Sequence, residues 1–519
     1  MKKALSILFV MSLCLGCFAA CGTPPTDDST ATTAGEPTSS TTATPTTPPE
    51  PEDTSIKVYY DDITTISDII GKEVTTYEIK DVVINSKVVG TENPDTKLFT
   101  VNEADNTVTA TATGSAIIVA DGEEYEVKVL PAPITIALII GHSLGEGSQG
   151  NAAQSVKCEL GQVYSSYLPD ALYKNADETT GLGTTAEKRP KGVDALANGE
   201  GRPGAAGGIG YEWTKLTGEK IWVLNAAVGG SCVNEWVEGT AYHINATRML
   251  IGASKVLKNE VAAGHYEYKG TTLLSFSSGN FYYKGVLNST KSELTNEEIK
   301  TWHDSVWNGF QTGMTIDIDG DGKADTPTSL GFVPLWEATG HMNKFNYDKH
   351  AIYYMALSDE YPHVYIASHA SRSWQTWDGI KSTFPEIDYE TQSQPVKAPE
   401  KFEDVSADKV HLTQLGYNAQ GQEIAQNMYN YLRTENEPKT VLLYNVSGQS
   451  ISSINVNVGS EYRFALVVNP VSASDITVTC SDNIEIVAPG VVKGKTAGTG
   501  KITLSYGEEV IKTITVKVK

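Results

Sequence analysis

Near the carboxy end of the chain, Asp408-Lys409-Val410-His411 places a carboxylate and an imidazole three residues apart. On one short loop both can reach the same pocket, where the carboxylate orients the imidazole that takes a proton from a hydroxyl. The hydroxyl that suits them is Ser143, in Gly141-His142-Ser143-Leu144-Gly145. The three together point to acyl transfer through a serine nucleophile. The competing reading, in which Asp408 caps a helix running from Gln414 to Arg433 and His411 packs beside it, explains the acid and base but not the serine. His142 is left outside the set, since a histidine beside a nucleophile is more often packed or solvated.

The elements that position these residues read as alternating strands and helices. Ile134–Ile140, Ile221–Val228, Thr271–Phe276, Leu330–Leu335 and Val364–Ala367 are short apolar runs of buried-strand type, with helical stretches such as Ile244–Ala263 and Asn296–Phe310 between them. That order predicts a parallel sheet covered on both faces. Ligands then bind beyond the carboxyl ends of the strands, and Ser143 follows the first of them. Gly-His-Ser-Leu-Gly matches the elbow of α/β-hydrolases, but its place argues against that fold, where several strands and an upstream oxyanion loop come before the serine.

At 519 residues the chain is long enough for two or three domains. A formal charge of -23 argues against binding nucleic acid or anionic lipid through a basic face. Lys2 and Lys3 precede an apolar run ending at Phe18-Ala19-Ala20-Cys21-Gly22, which has the flanks of a secretory signal and resembles a bacterial lipobox with Cys21 as the lipidated residue. Cys17 is the weaker site. Residues 22–54, rich in Thr, Pro and Ser, hold too little apolar surface to offset the cost of ordering and read as a tether. Beyond it Cys158, Cys232 and Cys480 match no zinc spacing, and a Cys158–Cys232 disulfide stays open.

Two flanks look alike. Gly114-Ser115-Ala116-Ile117-Ile118-Val119 leads to Gly122-Glu123-Glu124, and Gly500-Lys501-Ile502-Thr503-Leu504 leads to Gly507-Glu508-Glu509, each followed by an alternating Val-Lys-Val end. Alternation and Gly turns favour small β-sandwiches. Residues 55–131 and 438–519 resemble the bacterial immunoglobulin-like group 2 family, which implies spacers or modules contacting cell wall or glycan, the spacer being the plainer reading.

A nucleophile after the first strand, with Asp-x-x-His before the last helix, resembles the SGNH or GDSL hydrolases. Within them residues 132–437 look most like the sialate O-acetylesterase and carbohydrate acetylesterase family. Gly141-His142-Ser143 stands where that family has Gly-Gln-Ser-Asn, so His142 and Leu144 depart from it. Ala206-Gly207-Gly208-Ile209-Gly210-Tyr211-Glu212-Trp213, Leu224-Asn225-Ala226-Ala227-Val228-Gly229-Gly230-Ser231 and Trp236 follow a second block, and Asp408 to Leu412 with Gly416 the last. Ser277-Ser278-Gly279-Asn280 occupies the place of Gln-Gly-Glu in the third.

The resemblance implies a three-layer α/β/α domain with Ser143, His411 and Asp408 as nucleophile, base and orienting acid. A tetrahedral oxygen needs two or three donors, for which the Ser143 and Gly230 backbone N–H groups and the Asn280 side chain are the candidates. A glycine at 229 or 230 that merely packs is the other reading. No organic cofactor is expected. Asp317-Ile318-Asp319-Gly320-Asp321-Gly322-Lys323-Ala324-Asp325 puts oxygens at positions one, three, five and nine with glycine at six, as a calcium loop requires, but Thr328 replaces the usual glutamate at twelve. It resembles the abbreviated Asp-x-Asp-x-Asp-Gly sites of extracellular proteins, implying structural Ca2+. The expected protein is a lipid-anchored surface enzyme that removes acetyl groups from glycans. A surface adhesion or carbohydrate-binding protein and a lipase-like carboxylesterase are the alternatives.

Overall fold

In the computed structural model the strand after the first flank, β1 (Ala132–Gly141), lies at the centre of a parallel sheet. β2 (Val163–Tyr167), β3 (Lys220–Asn225), β4 (Tyr266–Phe276), β5 (Ser329–Phe332) and β6 (Val364–Ile366) complete it in the order β6-β5-β4-β1-β3-β2. Every neighbouring pair is parallel. The structure describes residues 54–84, 97–151, 154–159, 161–167, 204–231, 235–276, 282–283, 286–287, 296–333, 357–358, 360–369, 411–433, 440–445, 450–469, 476–488 and 490–519. Cys21, Cys232, Asn280 and Asp408 lie outside the described residues.

A buried strand of ten residues sends successive side chains to opposite faces, and β1 does so between two cores. Ile134, Ile136, Leu138 and Ile140 join one cluster with Met249 and Leu250 of α3 (Ala241–Ala262) and Trp302, Val306 and Phe310 of α4 (Asn296–Gly313). Ala137 and Ile139 join another with Ile209 and Trp213 of α2 (Ala206–Thr217) and Tyr417, Ile424 and Met428 of α5 (Gln414–Leu432). The result is helix, sheet, helix. On the second face α2 and α5 touch backbone to backbone. A Cβ on Gly208 would lie 2.2 Å from the Asn418 carbonyl oxygen, and one on Gly421 2.2 Å from that of Ala205. Only glycine fits such a crossing.

The expected strands and helices are present, with ends shifted by a few residues. β2 was not anticipated, because Ser165 and Ser166 interrupt the apolar pattern of an edge strand. Cys158 is a buried free thiol, its Sγ 3.6 Å from the Gly207 carbonyl oxygen. Among the described residues no helix is long and apolar enough to cross a membrane.

The two similar stretches are the same hairpin in two places. Gly114–Ala120 pairs with Glu123–Leu130 around Asp121 and Gly122, both at positive φ, and Gly498–Tyr506 pairs with Glu509–Val518 around Gly507. In each flank the second hairpin strand also pairs in parallel with an earlier strand, Ile56–Tyr59 or Ser453–Val456. Their cores differ. Ile454, Ile502, Ile514 and Val516 belong to a cluster made wholly of the carboxy-terminal flank. Val58, Ile118, Val127 and Val129 instead share one continuous cluster with Ala132, Ile134 and Tyr266, so the amino-terminal flank does not close its core on itself.

Candidate active site

The chain leaves β1 for β2 at the sheet edge, returns to β3 on one side of β1, and continues to β4 on the other. β1 therefore ends at the point where the winding reverses, where the loops diverge and leave a crevice. Gly141 ends the strand at φ 119, and a Cβ there would lie 2.6 Å from the Phe276 carbonyl carbon. Glycine is required twice over, by conformation and by the approach of β4.

Ser143 is the first residue of the short helix α1 (Ser143–Glu146). His142 caps it: its Nδ1 accepts the Leu144 N–H at 3.3 Å. An accepting Nδ1 leaves the ring proton on Nε2, which is buried without a partner among the described residues. The ring is 3% exposed, and burial, with the nearby His411 adding to it, pushes its pKa down to about 3. His142 is thus a neutral cap and no proton carrier near neutral pH.

His411 comes from the far end of the sequence, two residues ahead of the α5 N-cap Thr413. Its Nε2 lies 2.8 Å from the Ser143 Oγ, a hydrogen bond of the length a general base needs to take the hydroxyl proton. The structure brings together the serine and histidine expected from sequence. Asp408 and Asn280 fall outside the described residues.

Beside α1 lies the loop after β3. The Ala226 N–H donates to the Ile139 carbonyl and the Val228 N–H to that of Gly141, extending the β3–β1 pairing past the strand. Asn225 donates from Nδ2 to the Gly145 carbonyl at 3.0 Å and accepts the Ala227 N–H at 3.1 Å, joining loop to α1. Ser231 Oγ donates to the Gly141 carbonyl at 3.0 Å and accepts from Trp236 Nε1 at 2.9 Å. Between these anchors Gly229 and Gly230 are exposed. A Cβ on Gly229 would come within 2.4 Å of a Glu146 carboxylate oxygen, whereas Gly230 has open space and needs glycine for its φ of 74. The packing glycine is therefore Gly229.

Four contacting residues were not picked out from sequence as parts of this site: Glu146, Gln414, Tyr417 and Asn418. No local spacing marks the last three, because the backbone groups they bond to lie more than 200 residues away in sequence.

Away from the crevice, Asp317, Asp319 and Asp325 each offer an oxygen within 4.8 Å of the others. Asp321, grouped with them on spacing, is not one of the three; its carboxylate accepts the Lys323 N–H at 2.8 Å. The Asp325 carboxyl is raised by burial, against the Ile318 N–H it accepts and with Asp319 and Asp317 adding to the rise. Three converging carboxylates, one held above its ordinary range, fit a hard dication.

No protein-family model matches the sequence, and no curated protein matches it. Among solved structures, the chain aligns with a carbohydrate acetylesterase from Xanthomonas citri at 12% identity and a TM-score of 0.32, over 89% of this chain and 95% of that one. It aligns with a protein from Arabidopsis thaliana at 12% identity and a TM-score of 0.32, and with NanS at 10% and 0.33, each over 57% of this chain and 97% of the other. The chemistry of the site rests on Ser143, His411 and their surroundings.

Proposed function

We propose that the chain is a serine carboxylic-ester hydrolase, a carbohydrate O-acetylesterase held at the outer face of a bacterial membrane by a lipid on Cys21. The observation that carries the reading is the 2.8 Å contact between Ser143 Oγ and His411 Nε2 beyond the carboxyl end of the central strand. The family resemblance of residues 132–437 supplies the substrate class.

In this reading the substrate's acetyl carbonyl lies over Ser143. As Oγ attacks the carbonyl carbon, His411 Nε2 takes the hydroxyl proton, and Asp408 holds the other ring nitrogen. The tetrahedral oxygen is met by the Ser143 and Gly230 N–H groups, with the Asn280 side chain as third donor. Collapse breaks the bond to the sugar oxygen, which leaves with the proton from His411. Water, deprotonated by the same imidazole, then attacks the acetyl-serine and releases acetate. Ca2+ at Asp317, Asp319 and Asp325, with Asp321 beside them, would hold their loop and take no part in these steps.

The test is acetate release from p-nitrophenyl acetate and acetylated glycans. Ser143→Ala and His411→Ala each lower kcat by about 10^4-fold or more, and Asp408→Asn leaves more activity, because triad members act as a unit. Full activity in a correctly folded Ser143→Ala protein overturns the mechanism, and a wild type without turnover favours the adhesion alternative.

A further inference from the structure

The serine and the histidine arrive on segments separated by more than half the chain, yet their bond tolerates little error. A hydrogen bond of 2.8 Å weakens steeply once the atoms part by a few tenths of an ångström beyond about 3.2 Å. Something must fix the loop that follows α1 against the start of α5. Two amide side chains on one face of α5 do this. Gln414 is 1% exposed and Asn418 3%. Gln414 Oε1 accepts the Asn151 N–H at 3.1 Å, and its Nε2 donates at 2.9 Å to both the Gly204 carbonyl and Asn418 Oδ1. Asn418 Oδ1 also accepts the Val156 N–H at 3.3 Å, while its Nδ2 donates to the Gln154 carbonyl at 2.8 Å. One position between them, the buried Tyr417 donates its hydroxyl to the Ser148 carbonyl at 2.8 Å.

The loop has no slack where the amides hold it. A Cβ on Gly150 would lie 2.8 Å from the Gly147 carbonyl oxygen and 2.9 Å from Gln414 Oε1, and one on Gly204 would lie 2.7 Å from the Gly147 Cα. On the other side, Leu412 is fully buried between His411 and the N-cap. A sliding of α5 against residues 147–156 is therefore a sliding of His411 against Ser143. Amides suit this task because each offers donors and an acceptor, so one side chain bridges two backbone segments without burying a charge.

We propose that Gln414 and Asn418, with Tyr417, are positioning residues for the hydrolysis: they set the register between the nucleophile segment and the base segment and touch no substrate. The inference rests on the reading of Ser143 and His411 as nucleophile and base. It assigns to the first turns of α5 a kinetic role distinct from stability. Misplacement of the reacting groups by about 1 Å is enough to lower turnover on the order of 100-fold.

The experiment uses the full chain, with Gln414→Met as a near-isosteric replacement without the amide and Tyr417→Phe as a milder one. Turnover of p-nitrophenyl acetate, well below the melting temperature, and the rate of covalent labelling of Ser143 by a fluorophosphonate are measured in parallel. Gln414→Met is expected to lower kcat and the labelling rate together by about 10- to 100-fold with KM changed little, and Tyr417→Phe to lower both by less. Should Gln414→Met fail to fold, the same paired loss in Tyr417→Phe carries the test. Variants that melt earlier but label and turn over at wild-type rates overturn the clamp. A wild type that is not labelled at Ser143 overturns the hydrolase reading beneath it, so the two failures are distinguishable.

Discussion

The two flanks carry the same hairpin but are joined to the middle domain in different ways. The carboxy-terminal flank has a core of its own and, among the described residues, lends only Tyr444 and Ala465 to the cluster of the middle domain; there the His369 ring stands edge-on to Tyr444 at 5.4 Å, and His369 Nε2 lies 3.4 Å from the Asn445 carbonyl oxygen. The amino-terminal flank runs into β1 across a single residue, Pro131, and is fused to the base of the sheet. Tyr60 stacks on His265 with centroids 4.2 Å apart. Asp61 accepts the hydroxyls of Tyr164 and Tyr266 at 2.7 and 3.2 Å, and Asp62 takes an ion pair from Lys220 at 2.7 Å and a bond from Gln162 at 2.9 Å. Lys220 is 1% exposed, and its Nζ also donates to the Gly161 carbonyl. The lesson is that a module's sequence specifies its hairpin, while a short separate segment, here Tyr60-Asp61-Asp62, specifies whether it is a spacer or a part of the neighbouring core.

The sharpest way to break this contrast is deletion. Removing residues 54–131 bares the apolar bases of β1 and β4 and the Tyr164–Tyr266 pair, and a cluster shared between two modules loses one side. With total stabilities of about 5–15 kcal/mol, the remainder is expected to give no cooperative melt. Removing residues 440–519 takes only Tyr444 and Ala465 from the cores around the sheet, so that protein is expected to melt cooperatively and to hydrolyse small esters at a rate near the full chain's. Asp62→Ala reproduces part of the first effect, since a buried lysine without its partner costs about 3–5 kcal/mol. An amino-terminally trimmed protein with the full chain's melting profile would show that the shared cluster is only apposition.

The same contrast marks what sequence could reveal. Strands such as Ile134–Ile140 and the paired hairpins were legible because period and turn chemistry are local. The approach of Ser143 to His411 was legible because a serine after the first strand and a histidine before the last helix are residue types and places that acyl transfer would need. The fusion of the first flank was not, since Asp61 and Asp62 look like an exposed acidic turn until Tyr164, Lys220 and Tyr266 are folded beside them. Gln414 and Asn418 were hidden for the same reason: their partners are backbone groups more than 200 residues away, which no spacing rule connects. The role of His142 as α1 cap was hidden as well, because it depends on a backbone turn that the sequence does not display.

Acid should divide the molecule along the same line. Neither residues 55–131 nor 438–519 contain a histidine, whereas His142 and His303 are buried in the middle domain, and burial pushes each down to about 3 from an ordinary 6.5. His243 and His363 are lowered in the same direction, also by burial. A depressed histidine binds its proton less readily folded than unfolded. Stability is therefore full above 6.5 and falls as pH drops towards 3. At pH 5 His142 and His303 each cost about 2 kcal/mol by linkage. All eight tryptophans lie in residues 132–437, so their fluorescence reports that domain alone. Between pH 7.5 and 5 the tryptophan transition is expected to move to lower denaturant with the amino-terminal flank following it, while circular dichroism retains a later transition from the carboxy-terminal sandwich. Coincident transitions at pH 5 would mean that the second flank is fused as well.

Calcium should sharpen the comparison by the smallest amount. Asp317, Asp319 and Asp325 converge in the segment between α4 and β5, where Gln311 on α4 donates Nε2 to the Pro327 carbonyl at 2.7 Å and the Thr328 N–H to the Thr271 carbonyl at 2.9 Å. Without a cation the carboxylates repel one another, and a dication that relieves this binds the folded loop in preference to the unfolded chain. At a tenfold excess over the dissociation constant the gain is about 1.4 kcal/mol by mass action. It is expected to enter the transition that the middle domain and amino-terminal flank share, because the loop is tied to α4 and β4 through Pro327 and Thr328. Chelation should accordingly lower the first melting step, leave the second in place, and change turnover well below melting little, since the ion polarises no ester. Asp319→Ala should remove the calcium response of the first step. Equal responses in wild type and Asp319→Ala would exclude this loop as the site, and a calcium shift of the second step would place the ion in the other flank.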